Sequence, residues 1–329
     1  MIQTESDIRH FADTARTIEA EIGRVIVGQQ ETVRNIVIAI IAGQHVLLEG
    51  VPGLGKTMLV RTLSQVLDLH FTRVQFTPDL MPADITGTTI ISEDADGHRE
   101  FQFQPGPIFT SLLLADEINR ATPKTQSALL EAMQEKTVTI ARSTHRLPLP
   151  FFVMATQNPI EMEGTYPLPE AQLDRFFFKL DVGYPSAEEL VEILNRTTTL
   201  ATQQPQQVAD GPRILAMSDL ARSLPIATPV VEYAARLTMA THPTDSAAPK
   251  EVREFVRFGA STRGAQALVM GAKIRAALDG RFNAAFDDVR QTALPALRHR
   301  IILNYEAEAE GMGADRILHA LLAQVPEAR

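Results

Sequence analysis

The chain contains no cysteine and no tryptophan. The first absence excludes disulfides, thiol nucleophiles and thiolate metal sites, while leaving the cellular compartment open. The second leaves only tyrosine to report by intrinsic fluorescence. Long apolar runs are missing as well: the longest, Ile36 to Ala42, is far too short to cross a bilayer. No membrane insertion is expected. The opening residues, Met1 to Asp7, are polar and acidic and unlike a signal peptide, so a cytoplasmic location is the expectation. No internal repeat is visible, and the 8 histidines show no ligand spacing, so no structural zinc is expected. Positive charge is in deficit, with 31 Lys and Arg against 40 Asp and Glu and a net charge of −9. That balance argues against an open basic nucleic-acid surface, though not against local basic patches.

What is present is specific. Gly50-Val51-Pro52-Gly53-Leu54-Gly55-Lys56-Thr57 fits the phosphate-binding pattern G-x-x-x-x-G-K-[ST] at every position. The residues before it, 44–49, read as a short buried strand, and 58–67 carry apolar residues at helical spacing. A strand, this loop and a helix are the context the motif requires. Glycines let successive backbone N–H groups turn inward at the helix N-terminus and form an anion nest. Lys56 would reach the β- and γ-phosphates, and the Thr57 hydroxyl would ligate Mg²⁺. Downstream, Ser111 to Ala115 is an apolar strand that ends in Asp116 and Glu117. Carboxylates at such a tip face the crevice where parallel sheets bind ligands. Asp116 is expected to hold Mg²⁺ and Glu117 to polarise the attacking water.

At 329 residues the chain has room for about two domains. Helical patterns cover 5–22 and 29–42. Strand-like runs fall at 72–76, 112–115, 151–155 and 176–180, separated by helical segments, as in a parallel α/β sheet with helices on both faces. Two hairpins interrupt the alternation. One spans about 87–107 around Asp96-Gly97. The other spans 136–149, with Thr137 to Ile140 as one arm and Pro148 and Pro150 confining the return arm to an edge. After Asp181 strand patterns vanish and the chain turns helical and Ala-rich. The expected division is a nucleotide-binding core, 1–183, and a small all-helical lid, 184–329.

With these motifs placed, the chain resembles the MoxR family of AAA+ ATPases. The residues that carry the resemblance include Val27-Gly28-Gln29, 50–57, Gln75 to Leu80, Asp84 to Gly87 and 114–121. It continues through Ala155 to Pro159, Pro169 to Phe176, Gly259 to Arg263 and 299–311. It implies Mg-dependent ATP hydrolysis, with ATP between core and lid. The nucleotide set is then Gly50, Pro52, Gly53, Leu54, Gly55, Lys56, Thr57 and Met58, with Gln29 in an adenine-side segment where backbone groups do the contacting. Asn158 looks like the sensor-1 residue that places water beside the γ-phosphate; a plain turn Asn before Pro159 is the alternative. Arg175 is similar to an arginine finger reaching a neighbouring subunit's ATP; a local pair with Asp174 or Glu170 is the alternative. Arg263 resembles the sensor-2 arginine of the lid, as against a helix-capping or surface arginine. The family's usual Pro is Thr262 here, which puts its backbone geometry in doubt.

The resemblance further implies a homo-oligomer, expected as a hexameric ring. Its implied task is chaperone-like remodelling or cofactor or metal maturation of a client protein, with a von Willebrand factor A domain adaptor. Phe101 and Phe103 would grip a client or, more simply, pack one hairpin face. Arg120 would contact a nucleotide across the interface or cap its helix. A metal-chelatase motor subunit shares the two hairpins and is the main alternative. A nucleic-acid motor of the MCM type is disfavoured by charge, an enhancer-binding activator by the missing G-A-F-T-G-A loop, and a non-hydrolysing ring by the filled catalytic positions.

Overall fold

The computed structural model describes residues 5–51, 53–93, 99–141, 143–158, 164–198 and 203–327. The chain opens with α1 (Glu5–Val25) and α2 (Gln30–Ile41), then β1 (Val46–Glu49), α3 (Lys56–Val66), β2 (Phe71–Gln75) and a short α4 (Pro82–Thr86). Strands β3 (Gly87–Glu93) and β4 (Arg99–Pro105) precede β5 (Leu112–Asp116), a 3₁₀ turn (Ile118–Arg120) and α5 (Pro123–Glu135). Strands β6 (Thr137–Ile140) and β7 (Ser143–Arg146) lead to β8 (Phe152–Gln157), α6 (Glu170–Leu173) and β9 (Phe178–Asp181).

Five of these strands form one sheet in the order β2-β5-β8-β1-β9, every pair parallel. Side chains alternate along each strand, so a sheet covered on both faces needs apolar residues at every position. Leu112 and Leu114 of β5 and Phe152 and Met154 of β8 enter one core. Leu113, Ala115, Val153 and Ala155 enter the other, against α5. The central strands β5, β8 and β1 therefore read as largely apolar runs, and carboxylates appear only at strand ends: Glu49 on β1, Asp116 on β5 and Asp181 on β9.

The helices that follow are α7 (Ala187–Thr197), α8 (Gly211–Ser223), α9 (Thr228–Met239), α10 (Lys250–Phe255), α11 (Thr262–Leu278), α12 (Phe286–Leu297), α13 (Tyr305–Ala309) and α14 (Ala314–Gln324). Helix α11 packs on α1, α2, α8, α9 and α12, and α12 also packs on β9. Helices α8 to α14 share one continuous core with α1, α2 and α3. Arg275 of α11, only 1% exposed, fastens the contact. It donates to Glu31 Oε1 and Asn35 Oδ1 on α2, both at 2.6 Å, and to Gln291 Oε1 on α12 at 3.3 Å.

Three expectations need adjustment. Strand does not vanish after Asp181: β10 (Val256–Phe258) and β11 (Ile302–Leu303) form a small antiparallel pair. It is too short to leave a sequence pattern. The return arm of the second hairpin ends at Arg146, because Pro148 and Pro150 lack the N–H that a longer ladder would use. The two phenylalanines of β4 part company. Phe103 stacks on His145 with centroids 3.9 Å apart and meets the edge of Phe109, so it joins the two hairpins. Phe101 is 81% exposed. The Asp96-Gly97 turn lies outside the described residues.

Candidate active site

The loop between β1 and α3 is shaped by its glycines. Gly53 and Gly55 have φ of 87° and 75°, a left-handed backbone that other residues adopt only with strain. Gly50 is required for a different reason: a Cβ there would sit 2.6 Å from the Val182 carbonyl oxygen. Lys56 opens α3 and donates to the Gly50 carbonyl across the loop. Burial lowers its ammonium pKa, and the carboxylates of Asp116, Glu117 and Glu49 oppose that shift.

Parallel pairing brings the rest of the site to this loop. Strand β5 lies beside β8, and β8 beside β1, so the ends of all three open on one edge. Gly53, Gly55, Lys56, Thr57, Asp116, Glu117, Thr156 and Asn158 line one cleft of about 230 Å³, with Arg73 as a further wall. Asn158 sits there 6% exposed, just past the end of β8. Of the other expected nucleotide residues, Met58 stands on the first turn of α3, half-exposed, and Leu54 leans on the core. Gln29 precedes α2 with φ 54°; its neighbours Gly28 and Gln30 line a separate hollow of about 490 Å³. Pro52 lies outside the described residues, as does Pro159.

The two carboxylates are held by Arg73, which lies outside the motifs, by Gln75 and Thr156, which lie within them without an assigned role, and by Arg120. Thr156 Oγ1 donates to Asp116 Oδ1 at 2.6 Å and accepts from the Glu117 N–H at 2.8 Å. One hydroxyl thus fixes both acids against β8. Glu117 has φ 55°, a left-handed backbone uncommon outside glycine, and the bond from its N–H helps to hold it. Arg73 Nη2 lies 2.6 Å from Asp116 Oδ2 and 2.8 Å from Gln75 Oε1. Gln75 Nε2 donates to Glu117 Oε2 at 2.7 Å, and Arg120 Nη1 to the same oxygen at 3.0 Å. Arg120 therefore bonds to the acid beside it rather than merely capping its turn. Polarity inside otherwise apolar strands was the available signal: Arg73, Gln75 and Thr156 interrupt β2 and β8.

These residues fit a nucleoside triphosphate with Mg²⁺. The donors at Thr57 and Asp116 are oxygens, which suit that hard cation. Asp116 Oδ2 holds the Arg73 guanidinium at 2.6 Å, so Mg²⁺ at Asp116 would share or displace that partner.

The two arginines are elsewhere. Arg175 immediately precedes Phe176 and β9, at the opposite edge of the sheet from the loop that follows β1. Because β1 and β9 pair in parallel with Val46 opposite Phe178 and Glu49 opposite Asp181, a strand's length separates the two ends. Four residues at ~3.3 Å each put that near 13 Å before either loop is counted. Arg263, at the start of α11, does not border the phosphate cleft either. It lines a second cavity together with Arg175 and pairs with Asp174 at 3.4 Å. Asp174 is claimed by Arg263, Arg300 and Ser261, so the local pair considered for Arg175 does not form with it. Arg300, 6% exposed, donates to Asp174 Oδ1 at 2.8 Å and to the carbonyls of Asp174, Phe176 and Phe177 at 3.1, 2.7 and 3.1 Å. His299 Nε2 lies 3.0 Å from the Phe176 carbonyl. The segment carrying Arg175 is thus pinned from the turn that follows α12.

Known proteins match this architecture. The model for the ATPase family associated with various cellular activities matches residues 45–178, and that for the AAA lid domain matches 249–321. The phosphate loop, the paired acids and the parallel sheet are those of a AAA nucleotide hydrolase. Chaperone MoxR1 of Mycobacterium tuberculosis is 43% identical over 305 residues, 93% of this chain and 80% of that protein. Protein MoxR of Paracoccus denitrificans is 31% identical over 98% of both. The crystal structure of a Cytophaga hutchinsonii protein superposes with a TM-score of 0.91 at 40% identity, over 98% of this chain and 97% of that one. The chain belongs to the MoxR family of AAA+ ATPases.

Proposed function

We propose that this protein hydrolyses ATP with Mg²⁺ at the cleft between residues 53–57 and the ends of β5 and β8, within a ring of identical copies, and that the cycle remodels a partner protein. The observation that carries the reading is one cleft holding Lys56, Thr57, Asp116, Glu117 and Asn158, with Arg175 standing at the far edge of the sheet from it. Lys56 and the loop amides bind phosphate oxygens. Thr57 and Asp116 would hold Mg²⁺, which supplies charge neutralisation at the phosphates when bound. Glu117 accepts a proton from the attacking water, and Asn158 orients that water. Arg175 serves the nucleotide of an adjacent copy, since it cannot reach its own loop. Arg263 shares its cavity, so we assign it the same neighbour and not the cis role expected of a lid residue. Nucleotide placement between 1–183 and 184–329 of one chain is thereby replaced by placement between two copies, with a hexamer as the proposed ring.

The remodelling half rests on kinship, since one relative carries the name Chaperone MoxR1. We extend it to client maturation through a von Willebrand factor A domain adaptor, with Phe101 at the exposed edge of β4 as a contact. Cytoplasmic residence remains part of the proposal; no single helix among the described residues is long and apolar enough to cross a membrane. The test combines three variants. Glu117→Gln keeps nucleotide affinity and loses phosphate release. Arg175→Ala loses ~10³-fold or more in rate if the finger acts as in other nucleotide hydrolases. Mixing Arg175→Ala with Lys56→Ala restores hydrolysis, because some sites then face an intact finger. Absence of recovery in verified mixed assemblies refutes the assignment to a neighbour. A pull-down with ATP-bound Glu117→Gln identifies adaptor and client; recovery of nucleic acid alone, surviving high salt, refutes remodelling.

A further inference from the structure

The second cavity is more basic than two catalytic arginines require. It holds about 410 Å³ and is lined by Lys136, Arg175, Arg222, Arg263 and Arg300, with Asp174 as its one carboxylate. Asp174 is committed to Arg263 and Arg300. Lys136, Arg175 and Arg222 have no ion pair among the described residues. Three uncompensated cations share one hollow in a chain of net charge −9. Like charges at close range repel, and the cost is greatest where water is partly excluded.

We propose that Lys136 and Arg222 complete, with Arg175 and Arg263, a pocket that receives the phosphates of a nucleotide held by an adjacent copy of this chain. The inference rests on the ring reading above and extends it to two residues outside the family motifs. Three observations support it. First, position: Lys136 follows α5 and precedes β6, Arg222 is in the last turn of α8, and the turn before β1 (43–45) shares the cavity wall with both. All three are on the edge of the sheet away from the chain's own loop, so an anion here comes from outside the chain. Second, backbone: Lys136 has φ 54° and caps α5 through its N–H to the Ala132 carbonyl at 2.9 Å. Glycine takes that conformation at a C-terminal cap with less strain. A lysine there keeps a charged side chain at some conformational expense. Third, mutual repulsion: burial lowers the Lys136 ammonium pKa, and the Arg222 charge lowers it further. A polyanion between them removes that repulsion. Arg222 is also fixed from behind, where Lys273 Nζ donates to its carbonyl at 2.7 Å. The ligand class that matches clustered, uncompensated cations beside an arginine finger is a polyphosphate.

The experiment uses the full chain with Lys136→Met and Arg222→Gln, which keep the stems and drop the charges. Nucleotide affinity, steady-state hydrolysis and self-association are measured together. Each variant is expected to lose about tenfold to a hundredfold in turnover, the weight of one charge-assisted phosphate contact. Mixing with Lys56→Ala is expected to restore hydrolysis, and Lys136→Arg is expected to retain most of it. Wild-type turnover in both variants overturns the proposal. So does a loss that Lys56→Ala fails to rescue while it rescues Arg175→Ala, because the two cations would then act within their own chain. A wild-type protein that neither assembles nor hydrolyses ATP overturns the ring reading itself, and this inference with it.

Discussion

Replacing Arg300 by methionine removes the hub that holds the segment carrying Arg175. Its guanidinium reaches Asp174 Oδ1 and the carbonyls of Asp174, Phe176 and Phe177, and it also donates to the Ala296 carbonyl. The side chain is 3% exposed and its carboxylate partner 18%. Burial pulls the guanidinium pKa down to about 10, against the opposing pull of Asp174. Breaking a buried pair by removing one partner typically costs ~3–5 kcal/mol, because the survivor is left uncompensated. Asp174 would keep Ser261 at 2.9 Å and Arg263 at 3.4 Å, which favours the lower end, about 3 kcal/mol. With a urea slope of ~3 kcal/mol/M, the midpoint should fall by about 1 M. Arg300→Lys should recover only part of this, since a point charge cannot satisfy a fork of five acceptors. The same variant should depress hydrolysis while sparing nucleotide affinity, as Arg175 stands between two of the anchored carbonyls. The assay is urea unfolding followed by far-ultraviolet dichroism, paired with phosphate release. An Arg300→Met protein within about 1 kcal/mol of wild type would show that the network contributes little, and the reasoning would fail.

Thr156→Val keeps shape and deletes the hydroxyl between Asp116 and the Glu117 N–H; hydrolysis should fall about tenfold to a hundredfold with folding retained, measured as turnover at saturating ATP. His45 is buried between β1, β8 and α5, accepting from the Val153 N–H at 3.0 Å and lying 3.1 Å from the Met133 carbonyl. Burial lowers its pKa to about 4 from 6.5. The unfolded chain therefore binds the proton first, and stability present above pH 6.5 is lost as pH falls toward 4. At pH 5 the loss from this group is about 2 kcal/mol. Replacement by glutamine should flatten the stability-versus-pH curve between those limits, leaving the parallel slope from buried His299, whose pKa is lowered in the same direction.

Much of this was written locally in the chain. Loop 50–57 needs no tertiary information, since the glycines and Lys56-Thr57 act on their immediate neighbours. Strand β5 was equally plain, as an apolar run ending in Asp116-Glu117. Arg73, Gln75 and Thr156 were not legible, because their partners are set by lateral strand order: Gln75 lies opposite Asp116 only once β2 pairs with β5. The placement of Arg263 was hidden for a related reason. Periodicity finds α11 but does not say at which edge of the sheet its start will dock. His299 and Arg300 belong to a motif legible in the sequence, yet their purpose requires seeing the turn after α12 beside the segment before β9. Short ladders such as β10 and β11 leave no periodic trace at all.

One consequence follows from the phosphate loop and Arg175 standing at opposite ends of adjacent strands. In the ring proposed above, each copy would offer a donor end and an acceptor end that cannot satisfy one another. Contacts of this heterologous kind close into rings or run on as open strings. A string of n copies completes n − 1 sites, whereas a closed assembly completes n. Under that proposal, activity per chain would be a direct count of closure. It should climb as pairs grow longer and reach its ceiling only when the last copy meets the first.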